Sequence, residues 1–155
     1  MPIRIMQDQE RGLRVIEFTG PIHRDDFETL SRLYFDRDFY RFTDREVVLF
    51  APTASLAAID VEDISLLADN YIEALRQRDD QVPVRAAWVM GDHVRAEARL
   101  WWDFTREHSR LNGERAVVDT LEAGIAALGL DPELAHDLRT RRGFRTFEVT
   151  SPAAG

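Results

Sequence analysis

The chain has 155 residues with 20 basic and 28 acidic side chains, a net charge of −8 at neutral pH, and it contains neither Lys nor Cys. These absences exclude disulfide scaffolds, Cys-ligated zinc or iron–sulfur centres, thiol nucleophiles, lysine Schiff bases and a P-loop lysine. The acidic surplus argues against nucleic-acid or anionic-membrane binding.

A chain of this length is most simply one domain able to bury a core. Hydrophobic residues make up 45% and charged residues 31%, the balance of a folded rather than a disordered chain. No apolar run approaches the roughly 20 residues that span a bilayer. The opening Met1-Pro2-Ile3-Arg4 has no apolar signal region, so a cytoplasmic location is expected.

Taken in chain order, residues 3–6 form a short apolar stretch that ends in the polar turn at 7–12, and residues 13–19 follow as a second strand of a hairpin. Gly20-Pro21 stops it. Asp25 and Glu28 have capping-box spacing, and Phe27, Leu30, Leu33 and Tyr34 follow at helical intervals. Residues 35–45 mix Phe35, Phe39, Tyr40 and Phe42 with charges. They read as a helix end and an aromatic loop that either closes the core or lines a pocket or lid. The apolar run at 47–51 suits a buried central strand.

Asp60 and Asp63 open the clearest helix, with Val61, Ile64, Leu67, Ala68, Tyr71, Ile72 and Leu75 in one stripe. A strand at 84–90 and a long helix at 92–111 follow. On that helix Val94, Leu100, Trp101, Phe104, His108 and Leu111 share one arc, together with His93 and Glu97. Asn112-Gly113 is a turn, and 116–118 is a short strand. Two helices complete the order, one capped by Asp119 and Glu122 and closed by Gly129, the other opened by Asp131-Pro132 and closed by Gly143. Phe144, Thr146 and Phe147 suggest a last short strand or an ordered tail. The alternation predicts an α/β fold with a single mixed, mainly parallel sheet, an N-terminal β-hairpin, helices packed on it and a C-terminal helical extension.

Three phrases carry a family resemblance: Leu13-Arg14-Val15-Ile16-Glu17-Phe18-Thr19-Gly20 before the first helix, Arg85-Ala86-Ala87-Trp88-Val89-Met90-Gly91-Asp92 before the third, and the strand and Glu/Ala/Leu helix of residues 115–128. Over about residues 3–130 the chain resembles the SpoIIAA-like proteins, a branch of the STAS fold. Residues 131–155 lie outside that pattern and are expected to pack on the same domain as a helix and tail. The resemblance implies a regulatory or ligand-binding module, often without enzymatic activity. True anti-sigma-factor antagonists carry a phosphorylatable Ser in an Asp-Ser pair before the second helix. Here that stretch reads Ala51-Pro52-Thr53-Ala54-Ser55, so Ser55 or Thr53 would have to stand in.

In such sheets ligands favour the carboxyl ends of the parallel strands. That edge offers Thr53, Ser55, Gly91, Asp92, His93 and Asp119 as candidate ligand contacts, although Gly-Asp at a strand-to-helix junction is also ordinary turn and cap chemistry. Ser55, His93 and Asp119 would be the triad of a small hydrolase using this edge. His93 and Glu97 lie one turn apart, but His108 is too far along the helix to share a metal with them, so no metal is expected. Trp102 falls beside Trp101. It therefore belongs either to a homodimer interface or to a monomer in which the C-terminal segment covers this helix. Arg139, Arg141, Arg142 and Arg145 are the densest basic cluster and the candidate contact for an anion. No nucleophile elbow, phosphate loop, dinucleotide fingerprint or zinc-protease motif is present, so neither enzyme activity nor a cofactor is expected. The reading is a non-enzymatic STAS-like module acting through a protein partner or a small apolar ligand.

Overall fold

A computed structural model describes residues 3–41, 43–78, 84–107 and 113–149. In chain order the elements are β1 (Ile3–Asp8), β2 (Leu13–Phe18), α1 (Arg24–Leu33), β3 (Arg45–Phe50), α2 (Val61–Arg78), β4 (Val84–Val89), α3 (Asp92–Glu107), β5 (Gly113–Val118), α4 (Leu121–Ala127), α5 (Glu133–Thr140) and β6 (Arg145–Val149). The strands form one six-stranded sheet in the order β5-β4-β3-β2-β1-β6. Neighbours from β2 to β5 pair in parallel, and β1 is antiparallel to both β2 and β6. Among the described residues no helix is long and apolar enough to cross a membrane.

Topology dictates which face each helix covers. The chain steps from β2 to β3 to β4 to β5 in one direction across the sheet. Right-handed crossovers then force α1, α2 and α3 onto the same face. To reach β6 beyond β1, the chain must return over the opposite face, and α4 and α5 make that passage. Strand alternation builds a core on each side. Ile5, Ile16, Phe18, Val48, Phe50 and Trp88 point toward α1–α3, where Trp101 stands among Phe18, Phe27, Phe50 and Trp88 at ring distances of 4.7–6.3 Å. Met6, Leu13, Val15, Val47, Ala87 and Val89 point toward Ile125, Leu134 and Leu138.

Several expectations shift in detail. The Phe147 segment is a strand, β6, registered on β1 from Ile3↔Val149 to Gln7↔Arg145. The first helix starts two residues earlier than the Asp25/Glu28 box implies: the His23 N–H donates to Asp26 Oδ2 at 2.9 Å. The box at α2 is as expected, with the Asp60 and Asp63 N–H groups bonding each other's carboxylates at 3.1 and 3.0 Å. On α3 the buried stripe is Val94, Ala98 and Trp101, and Leu100 is 45% exposed. Val94, Ala98 and Trp101 fall within about 60° of one another on the helical wheel, and Leu100 lies about 100° further round. The C-terminal helices do not cover α3; they lie on the other face, so Trp102 is half-buried through Trp88, whose ring centroid is 5.4 Å away. In the aromatic stretch Tyr34 and Tyr40 are buried in the core, Phe39 packs on Phe147, and Phe35 stays exposed. Phe42, His108 and Leu111 lie outside the described residues.

Candidate functional site

The carboxyl ends of β3, β4 and β5 do carry Thr53, Ser55, Gly91, Asp92, His93 and Asp119, and the side chains of Thr53, Ser55, His93 and Asp119 are bonded within the chain. Thr53 Oγ1 accepts from the Gly20 N–H at 3.1 Å. The Ser55 backbone closes the same junction, donating to the Gly20 carbonyl and accepting from the Ile22 N–H, and its hydroxyl accepts from the Ala57 N–H at 3.3 Å. His93 folds over Gly91 and donates from Nε2 to the Ala51 carbonyl at 2.8 Å. A Cβ at Gly91 would stand 3.0 Å from the His93 ring, a tight contact that the ring would have to shift to relieve. One turn on, Glu97 accepts from the Leu56 N–H at 2.6 Å. The i, i+4 pair thus pins the loop that follows β3 to α3, and neither side chain turns toward a shared ligand. Asp119 pairs with Arg95, and the Asp92 carboxylate is fully exposed. Ser55, His93 and Asp119 make no bond to one another. Among the described residues no group of three or more His, Asp or Glu side chains could hold a metal.

The opposite end of the strands holds a polar cluster that sequence reasoning passed over. Gln7, Arg14, Glu46, Ala86 and Arg115 occupy one register row across β1 to β5. Arg14 is 1% exposed. Its guanidinium bonds Glu46 Oε2 at 2.8–2.9 Å and the Arg41 carbonyl at 3.0 Å, and it stacks 3.6 Å from the Tyr40 ring centroid. Tyr40 donates to the same Glu46 oxygen at 2.6 Å, and Tyr34 and Tyr71 pack edge-on around it. Burial opposes the Arg14 cation, but Tyr40, Glu46 and the bond to Glu46 outweigh that cost and hold its pKa above the ordinary arginine value. Burial pushes the Tyr34 and Tyr40 phenols well above their usual range. It also lowers the Arg115 pKa. The signal was present in the sequence: Arg14 alternates onto the face of Ile16 and Phe18, which is an apolar face. Glu46, Tyr40 and the Arg41 carbonyl all meet the Arg14 guanidinium, so the cluster acts as an internal brace.

The predicted four-arginine cluster divides. α5 ends at Thr140, Arg141 adopts φ 58°, and the chain reverses into β6. Arg142 and Arg145 face a pocket of about 720 Å³ under the β1–β2 turn, together with Asp8, Glu10, Glu133 and Asp137. There Arg11 ties the hairpin to α5, bonding Asp8, Asp137 at 2.8 Å and the Arg142 carbonyl at 3.3 Å. Four carboxylates face three guanidinium groups, which makes this a poor anion site.

Arg139 and Arg141 instead rim a groove of about 300 Å³ on the face of α4 and α5, with Arg4 and Glu17 across from them. The row Glu148, Arg4, Glu17, Leu49, Val89 runs across the sheet near the carboxyl ends of the parallel strands. Gly124 of α4 covers Val89, where an added Cβ would meet Val89 Cγ2 at 3.0 Å. The helices leave the rest of that row open. The floor is Met6, Leu49, Leu121 and Leu138, and its rim carries three guanidinium groups against one carboxylate.

No family model, curated protein or solved structure matches this chain.

Proposed function

We propose that this protein is a non-enzymatic, STAS-like ligand-binding module that takes a small, mainly apolar ligand in the groove between its sheet and α4–α5. One observation carries the reading: Met6, Leu49, Leu121 and Leu138 line the bottom of a groove whose rim carries Arg4, Arg139 and Arg141. Ligand sites are concave and combine apolar surface with a few fixed polar groups, and this groove sets four apolar side chains beside four charged ones. Its volume of about 300 Å³ suits a small molecule rather than a polymer. The STAS-like part rests on the phrases around Arg14, Trp88 and Leu121 and on the mixed sheet with parallel central strands. The non-enzymatic part is supported by the strand-end edge, where Ser55, His93 and Asp119 are each bonded elsewhere.

A binder of this kind stabilises the folded state by mass action, by roughly 2.7 kcal/mol at a hundred-fold excess over Kd. Thermal-shift titration with a panel of small apolar and amphipathic compounds is therefore expected to raise Tm, and a Leu49→Ser variant is expected to lose that response. A panel that leaves Tm unmoved removes the reading. Ester or phosphate-ester turnover that disappears in His93→Ala would favour the small hydrolase instead.

A further inference from the structure

Resting on that reading, we infer that the groove selects ligands carrying a carboxylate, with Arg141 as the anion anchor and Leu49 and Leu121 under the apolar tail. The chain as a whole is at −8, yet this rim carries three arginines and one glutamate. The three are not equivalent. Arg4 is held by Glu17 at 3.2 Å and Glu148 at 2.9 Å, and Arg139 by Glu122. Arg4 thereby also occupies the Glu17 carboxylate, which would otherwise repel an anion. Arg141 makes no side-chain hydrogen bond or ion pair among the described residues, so its five-donor fork is free to receive a carboxylate.

The backbone supplies an independent pointer. Arg141 sits in the left-handed region at φ 58°, the one non-glycine residue with positive φ among those described. Helices end there at low cost with Gly or Asn, and a long side chain in that conformation is disfavoured. This residue closes α5, with the Arg141 and Arg142 N–H groups bonding the Leu138 and Asp137 carbonyls at 3.2 and 2.8 Å. Here it places a guanidinium at the mouth of the groove, where Gly would place nothing. A volume of about 300 Å³ holds about ten groups of water size at roughly 30 Å³ each. An eight-carbon carboxylate has that many non-hydrogen atoms.

Calorimetric titration with sodium octanoate and with 1-octanol tests the assignment on the full chain. Arg141→Asn removes the fork and keeps a residue that tolerates positive φ, so the fold and Tm are retained. Octanoate is expected to bind more tightly than octanol, and Arg141→Asn to weaken octanoate about ten-fold or more while leaving octanol unchanged. Leu49→Ser is expected to weaken both. Equal binding of the two compounds, unaffected by Arg141→Asn, overturns the carboxylate anchor and leaves the apolar groove standing. Octanoate binding that survives Leu49→Ser unchanged overturns the placement. Binding of neither compound overturns the anchor and the groove together.

Discussion

On one face of the sheet three helices press Trp101, Phe27 and Tyr71 onto the strands, and a charged Arg14 is buried beneath them, met by Glu46, Tyr40, Asp44 and the Arg41 carbonyl. On the other face lie two short helices of 7 and 8 residues, with Leu49, Arg4 and Glu17 lining the groove beside them. On the proposed reading, the contrast separates stability from recognition. The covered face commits its aromatic volume and its charges to internal partners. The other face sets the Arg139 and Arg141 guanidinium groups along the rim of the groove proposed to take a ligand.

The covered face should break hardest. Glu46→Ala leaves the Arg14 cation buried without its carboxylate and is expected to cost about 3–5 kcal/mol by urea denaturation. Trp101→Ala, which empties the centre of the ring cluster, should cost a similar ~3–5 kcal/mol. A loss below 1 kcal/mol for both would put the stability elsewhere.

Alkali should find the same face. Tyr34 and Tyr40 have folded pKa values raised above the unfolded value near 10. Their contribution is therefore whole below that pH and drains away above it, because only the unfolded chain releases the protons. Stability should fall by roughly 1.4 kcal/mol per pH unit for each buried tyrosine above about pH 10. Absorbance titration at alkaline pH should show two of the three tyrosines ionising only with unfolding. Smooth ionisation of all three in the folded protein would contradict the brace.

The other face should give a smaller response. Gly124→Val places atoms against Val89 and should cost about 1–3 kcal/mol through overpacking. It should also lift α4 and so weaken ligand binding in the neighbouring groove. Smallest of all is the strand-end edge, where His93→Ala removes one exposed bond to the Ala51 carbonyl. A Tm drop corresponding to about 0.5–1.5 kcal/mol is expected there, with no change in ligand affinity.

Much of the fold was legible in the sequence. The alternation of residues 13–19, the apolar run at 47–51, the Asp60/Asp63 box and Gly129 all sit where their elements begin, run or end. The site was less legible. Attention to the carboxyl ends of the strands selected Ser55, His93 and Asp119, whose bonds prove to hold loops in place. Of the arginine cluster, Arg139 and Arg141 belong to the groove, while Arg142 and Arg145 turn away to the acidic pocket. A reversal at one αL residue separates them, and spacing along the chain does not reveal such a reversal at a non-glycine position.

Sequence alone determined the kinds and order of the elements, because periodicity and caps act over a few residues. It also ruled out lysine and cysteine chemistry, because a missing side chain is missing in every fold. Only the tertiary structure decided that Arg14 is buried among tyrosines, that α4 and α5 return over the opposite face, and that Arg141 overlooks Leu49. Those outcomes depend on strand order and crossover handedness, which bring together residues more than 90 positions apart, as from Leu49 to Arg141.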